Sequence, residues 1–216
     1  FGYDFKKFKY FAGHSLGEYS ALACVGSIKF EDTLKILKKR GEFMQEAVPS
    51  GEGAMLAVLG VASKELDKIL EINNKKYECF IANDNSNLQV VVSGLKKDIN
   101  LLSDDLNDKK IKNLKLNVSA PFHCKYMKTA SDKMTNYIND LKMNDLEKPI
   151  ISNVTASETS SSKEIKSLLI SQIEKKVRWL ESVEYMINNG VKNFVEIGPG
   201  KVLSGLIKRI NKNVNV

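Results

Sequence analysis

The sequence predicts an α/β chain in two parts: a parallel α/β unit interrupted by a smaller α+β unit. Three observations carry this. Strand-like and helix-like stretches alternate along the 216 residues. Near the start, Tyr10-Phe11-Ala12-Gly13-His14-Ser15-Leu16-Gly17 reads as strand, glycine-flanked turn and helix start, the pattern of a nucleophile elbow. After the breaker Pro49-Ser50-Gly51-Glu52-Gly53, the periodicities run in the order βαββαβ, which is ferredoxin-like.

Taken in order, residues 9–12 form the first strand, and Leu16, Tyr19, Ala23 and Cys24 then fall near helical spacing. Residues 30–48 form a helix with Thr33, Ile36, Leu37, Phe43 and Met44 on its apolar side and Asp32 as its cap. The inserted unit takes residues 51–118. Its strands are expected at 54–59, 79–83, 89–93 and 111–118. Its helices are expected at 63–73, capped by Ser63, and at 95–108. The polar run Ala82-Asn83-Asp84-Asn85-Ser86-Asn87 reads as the turn between the middle strands. The larger unit, residues 1–50 and 119–216, resumes with a loop at Ser119-Ala120-Pro121-Phe122-His123. A helix over 124–143, a short strand at Ile150-Ile151, a polar loop at 156–162 and helices at 163–173 and 179–189 follow. A strand over Phe194-Val195-Glu196-Ile197 then ends in Gly198-Pro199-Gly200, and a helix over 201–210 closes the unit.

Hydrophobic residues make up 43% of the chain, as in ordinary globular proteins. No apolar run approaches the ~20 residues that cross a membrane. No signal or transit peptide is visible. The chain opens at Phe1-Gly2-Tyr3-Asp4 with a strand almost at once, so an N-terminal portion of the sheet is expected to lie outside this sequence. Cys24, Cys79 and Cys124 are an odd, scattered set and suggest a reducing compartment. The net charge of +7 is spread as lysine, without a basic stripe interleaved with aromatics. That pattern points away from nucleic acid, towards a solvated lysine-rich surface or an acidic protein partner.

The elbow carries chemistry. A serine at the tip of a strand-to-helix turn presents its hydroxyl where free N–H groups and the helix dipole favour a developing oxyanion. Glycine two residues to either side relieves the crowding at that turn. A serine nucleophile needs a base, and the chain has two histidines. His14 adjoins Ser15, and neighbours at an elbow point apart, so it reads as structural. By elimination His123 is the base. No acid between Ser15 and His123 follows an obvious strand, so either an unplaced carboxylate or a backbone carbonyl orients the imidazole. Arg40, the first arginine in a lysine-rich stretch, is either a carboxylate-gripping fork or a surface charge.

Four stretches resemble one family, in its order: Gly13-His14-Ser15-Leu16-Gly17-Glu18-Tyr19-Ser20-Ala21-Leu22, Arg40-Gly41-Glu42-Phe43-Met44-Gln45-Glu46-Ala47, Pro121-Phe122-His123-Cys124 and Val195-Glu196-Ile197-Gly198-Pro199-Gly200-Lys201-Val202-Leu203. The family is the malonyl-CoA:acyl carrier protein transacylases of type II fatty acid synthesis. The resemblance implies an α/β-hydrolase-like large subdomain and the ferredoxin-like small one. It implies an acyltransferase working by ping-pong through a malonyl ester on Ser15, with His123 as base. By the same resemblance the Leu16 amide is an oxyanion donor, Arg40 grips the malonyl carboxylate, Gln89 and Phe122 line the acyl site, and the main-chain carbonyl of Gln172 steadies the histidine. The family's other oxyanion donor, a glutamine in a Gly-Gln-Gly motif, has no counterpart in these residues. No metal or other cofactor is implied. The partners implied are malonyl-CoA and an acyl carrier protein, with no nucleic acid and no membrane; Lys201, Lys208 and Arg209 are candidates for the docking face. A soluble monomer of the cytoplasm or of an organelle stroma is expected. The rival readings are a serine esterase or thioesterase, the acyltransferase domain of a polyketide synthase, and a carrier-binding domain without activity.

Overall fold

The computed structural model describes residues 4–118 and 120–216. Phe1, Gly2 and Tyr3, and Ser119 in the loop after the inserted unit, lie outside the described residues.

The larger part holds a sheet in the order β1 (Phe11–Ala12), β6 (Ile150–Ile151), β7 (Glu158–Thr159). β1 and β6 are parallel, pairing Phe11 with Ile150 and Ala12 with Ile151, and β7 runs antiparallel to β6. Side chains alternate along a strand, and both faces of β6 are covered. Ile150 enters a core with Tyr19, Leu22, Ile36, Met44, Met134 and Leu169, from α1 (Leu16–Cys24), α2 (Phe30–Glu46), α5 (Lys128–Asp140) and α6 (Ser162–Gln172). Ile151 enters a second core with Trp179, Val183, Met186, Leu206 and Ile207, from α7 (Trp179–Asn188) and α8 (Val202–Ile210). The result is helix, sheet, helix, as an α/β unit requires.

The inserted unit has the order β2 (Gly53–Leu59), α3 (Ser63–Ile72), β3 (Cys79–Ser86), β4 (Gln89–Leu95), α4 (Lys96–Asp108), β5 (Asn113–Lys115). Its sheet is ordered β3-β4-β2-β5 with every neighbouring pair antiparallel, the ferredoxin-like arrangement. Leu56, Val58, Val90 and Val92 face α3 and α4. Met55, Ala57, Ala82 and Val91 face the other way, onto Leu116 and Phe122. Both faces are covered, which explains why Ala54-Met55-Leu56-Ala57-Val58-Leu59 is apolar without alternation.

Several expectations need correction. The polar run at 83–86 is not a turn: β3 continues through it to Ser86, and only Asn87-Leu88 turn the chain. Asn83, Asp84, Asn85 and Ser86 are buried, and the Asp84 amide donates to the Val177 carbonyl. Two register shifts, between Ile81 and Asn83 and between Asp84 and Ser86, bend the strand there. The expected loop at 156–162 contains β7. Among the described residues Phe194-Val195-Glu196-Ile197 joins no ladder; its neighbourhood pairs there only through an isolated bridge of Asn193 with Asn215, and Val195 and Ile197 are exposed. Asp32 and Ser63 are not caps. The cap positions, with extended backbone, are Lys29 and Ala62, and Asp32 instead places its charge in the first turn of α2. The helix after His123 begins as a 3₁₀ turn at Lys125–Met127 and ends at Asp140.

Candidate active site

The elbow joins β1 to α1. Ser15 sits at φ 53° and ψ −111°, a left-handed conformation for a residue with a side chain. Such strain costs on the order of 1–3 kcal/mol and persists only where the surroundings impose it. Gly13 is one imposing element. A Cβ there would lie 2.0 Å from both the carbonyl carbon and oxygen of Gly17. The expected need for glycine at both positions holds for Gly13 alone; a Cβ on Gly17 would face open space. Asn153 is the other element. It follows β6, and the parallel register with β1 brings it to the elbow. Its Oδ1 accepts from the Ser15 amide at 2.7 Å and its Nδ2 donates to the Gly13 carbonyl at 2.7 Å. One side-chain amide thus clamps the turn from both sides.

The Ser15 hydroxyl lies between two buried groups. Its Oγ is 2.8 Å from His123 Nε2, and Arg40 Nη2 donates to it at 2.9 Å. His123 Nδ1 donates to the main-chain carbonyl of Gln172 at 2.8 Å, which leaves Nε2 as the acceptor for the serine proton. Burial first, and the Arg40 charge second, push the His123 pKa down to about 3. The imidazole therefore rests as the neutral base. His123 also has a positive φ, 58°. The loop carrying it is pinned on the small sheet: a Cβ on Gly53 would lie 2.2 Å from Pro121 Cδ, and Cys124 Sγ donates to the Pro121 carbonyl. Phe122 packs against both the main core of the larger part and the lower face of the small sheet, so the histidine loop is wedged between the two.

Arg40 is 6% exposed. It lies on the buried stripe of α2 with Thr33, Ile36 and Met44, at helical spacing, so it is no surface charge. The guanidinium stacks 5.8 Å from the Tyr19 ring centroid, and Nη2 also donates to Gln172 Oε1 at 3.1 Å. Burial lowers its pKa from the ordinary arginine value, and it remains a cation. Its Nε is buried and has no hydrogen-bond partner among the described residues. A buried, incompletely bonded cation beside a serine hydroxyl is a ready carboxylate receptor.

Three further groups of this cluster were not anticipated. Glu18 is 1% exposed, and its Oε2 accepts from Gln172 Nε2 at 2.6 Å and from the Asn153 amide at 3.2 Å. Burial raises its pKa to about 7, against the lowering effects of Gln172, Asn153 and Arg40. The signal was present: Glu18 stands four residues before Leu22, on the buried side of α1. The Gln172 side chain contributes as well as its carbonyl, because Nε2 also donates to the Ser15 carbonyl at 3.1 Å. Asn153 had no local signal.

The remaining expected residues are placed as follows. Leu16 begins α1 with its side chain exposed, and its amide, at the first helical position, has no intrahelical acceptor. Gln89 starts β4 and accepts from Arg209 Nη1 at 3.0 Å. Lys208 Nζ donates to the Val214 carbonyl, and Lys201 precedes α8 on the surface. His14 points away from Ser15. Its Nε2 meets Asn85 Oδ1 at 2.8 Å and its ring packs edge-on to Trp179, so it ties the elbow to the end of β3. A cleft of about 450 Å³ beside β3 reaches His123 and Cys124, but Ser15 and Arg40 lie outside its walls. No helix among the described residues is long and apolar enough to cross a membrane.

Comparison with known proteins places this geometry. Residues 7–215 match the acyl transferase domain family. The chain is 44% identical over 208 residues to the malonyl CoA-acyl carrier protein transacylase of Bacillus subtilis, over 94% of this chain and 65% of that protein. The Staphylococcus aureus (strain MRSA252) protein of the same name is 42% identical over 210 residues, 94% of this chain and 67% of that one. Among solved structures, the acyl-carrier-protein-S-malonyltransferase from Bartonella henselae superposes with a TM-score of 0.95 at 41% identity, over 99% of this chain and 69% of that one. A malonyl-transacylase solved in complex with a type II polyketide synthase acyl-carrier protein superposes with a TM-score of 0.91 at 38% identity, over 96% of this chain and 67% of that one. The chain thus spans about two thirds of the length of the relatives it matches.

Proposed function

The chain belongs to the acyl transferase domain family, and on that premise we propose that it moves a malonyl group from malonyl-CoA to the thiol of an acyl carrier protein through an ester on Ser15. In the first half-reaction His123 Nε2 takes the Ser15 proton as Oγ attacks the thioester carbonyl. The Leu16 amide, at the positive end of α1, faces the developing oxyanion. The C–S bond breaks and His123 returns the proton to the leaving thiolate. In the second half-reaction the carrier's pantetheine thiol gives its proton to His123 and attacks the ester; the ester C–O bond breaks and His123 returns the proton to Ser15 Oγ. Each step is a proton transfer or an acyl exchange, so the sequence of steps balances without an electron carrier.

The observation that carries the reading is Arg40, buried and incompletely bonded 2.9 Å from the nucleophile. An esterase for neutral acyl groups has no use for that cation, whereas a malonyl carboxylate would otherwise be stranded in a dry site. The carboxylate also offsets the charge that helps depress His123, so the base strengthens when the right substrate is bound. The net charge of +7 suits an acidic carrier protein, with the exposed basic residues Lys201, just before α8, and Lys208 and Arg209, within it, as its docking face.

The test is intact-mass spectrometry of the enzyme after mixing with malonyl-CoA. One malonyl adduct on wild type, none on Ser15→Ala and a rate lowered by orders of magnitude on His123→Ala are expected. An adduct that survives Ser15→Ala rules the assignment out.

A further inference from the structure

We propose that Glu18 is a positioning residue for acyl selectivity: it orients the Gln172 side-chain amide, and that amide aims Arg40 at the acid end of the substrate. The inference rests on the malonyl-transfer reading and names a device within the same site. Gln172 is a hub. Its main-chain carbonyl holds His123, its Oε1 accepts from Arg40, and its Nε2 donates to both the Ser15 carbonyl and Glu18. A side-chain amide can turn over and exchange its two ends. If it did so here, the NH₂ would face the Arg40 cation and the oxygen would face the Ser15 carbonyl. The 2.6 Å bond to Glu18 is the shortest of the set and goes to an acid. It fixes the NH₂ on the Glu18 side, so Oε1 must face Arg40. Gln172 is fully buried, and no water is needed to complete these bonds.

Glu18 does more than fill space. The same Oε2 receives the Asn153 amide, and Asn153 clamps the elbow, so one oxygen coordinates the backbone of the nucleophile and the tilt of the guanidinium. Glu18 touches neither Ser15 Oγ nor His123, so its effect falls on the carboxylate contact before it falls on the acyl chemistry. The apolar near-isostere Glu18→Leu should therefore raise KM for malonyl-CoA and narrow malonyl-over-acetyl discrimination by roughly tenfold, with malonyl transfer falling more than acetyl transfer. Glu18→Gln keeps an acceptor oxygen and should restore most of the discrimination.

The experiment has two arms. Initial rates with malonyl-CoA and acetyl-CoA are compared for wild type, Glu18→Leu and Glu18→Gln. In parallel, nitrogen-15 NMR of the Arg40 guanidinium in unliganded protein reads how tightly it is held, independently of any substrate. Loosening of the Arg40 signal in Glu18→Leu, together with the narrowed ratio, is expected. A wild-type ratio in folded Glu18→Leu, or an unchanged Arg40 signal, overturns the proposal. If Glu18→Leu does not fold, Gln172→Met is read in both arms for the malonyl-to-acetyl ratio and the Arg40 signal alone, and a wild-type ratio or signal there overturns it equally. Absence of malonyl loading in wild type would defeat the malonyl-transfer reading, while the NMR arm would still decide whether Glu18 positions Arg40.

Discussion

Replacement of Arg40 by alanine separates a malonyl-selective site from a general acyl site. In the resting protein Arg40 Nη2 donates to Ser15 Oγ and to Gln172 Oε1, while Nε has no hydrogen-bond partner among the described residues. A malonyl carboxylate in this site would accept two charge-assisted hydrogen bonds from the fork, each worth about 1.5–3 kcal/mol net. Part of that gain replaces the contact to Ser15, so the lower end of the sum, about 3 kcal/mol, is the better figure. That corresponds to a fall of ~10²-fold in kcat/KM for malonyl-CoA. Acetyl has no acid to strand, and the mutation removes a donor from the serine oxygen that must attack. Acetyl transfer should therefore hold steady or rise. Arg40→Lys should rescue only in part, since an ammonium offers a point charge and no fork. The assay measures initial rates of both acyl-CoA substrates with a holo carrier protein for the three enzymes, with circular dichroism to verify folding. Equal losses on malonyl and acetyl would refute the reasoning and make Arg40 a structural cation.

Two further outcomes follow from the same geometry. Gly13→Ala places a methyl 2.0 Å from the Gly17 backbone, where no side chain can yield, so a loss of more than about 4 kcal/mol is expected, against less than about 1 kcal/mol for Gly17→Ala; similar melting temperatures for the two would show that the elbow relaxes. Glu18 has its pKa raised by burial to about 7 from the ordinary glutamate value of 4.5, so the native state binds the extra proton between those values and wild-type stability is lost as pH rises through that window. Glu18→Gln lacks this loss, while His123, which titrates in both proteins, cancels from the comparison. The stability of Glu18→Gln relative to wild type should thus climb between pH 4.5 and 7 by up to about 3 kcal/mol and level off above; a difference independent of pH in denaturant titrations would mean that Glu18 is already ionised at the acid end.

What could be read directly from the residues was what local chemistry dictates. The Gly13-x-Ser15-x-Gly17 spacing announces a tight strand-to-helix turn because crowding at that turn is settled within five residues, and the structure holds Ser15 at a positive φ there. The βαββαβ order followed from periods of 2 and 3.6 and from breakers, and the sheet order β3-β4-β2-β5 agrees with it. His123 was reached by a census of two histidines, whereas the roles of Gln172 and Arg40 came from family resemblance. The same resemblance put Gln89 at the acyl site, and in the structure Gln89 accepts a hydrogen bond from Arg209.

Other features were decided only by the tertiary structure. Asn83-Asp84-Asn85-Ser86 has the composition of a turn, yet it is buried strand, because Val177 and His14 arrive from distant parts of the chain to pair with the Asp84 amide and the Asn85 side chain. Phe194-Val195-Glu196-Ile197 has the composition of a strand, yet it finds only an isolated bridge beside it among the described residues. Asn153 reaches Ser15 across 138 residues because β1 and β6 are parallel in one register, and Glu18 reaches Gln172 across 154. The physical division is plain. Backbone sterics and side-chain period act over a few residues and are written in the local sequence. The state of a buried polar group depends on which partner faces it, and that partner is supplied by the packing of elements far apart in the chain.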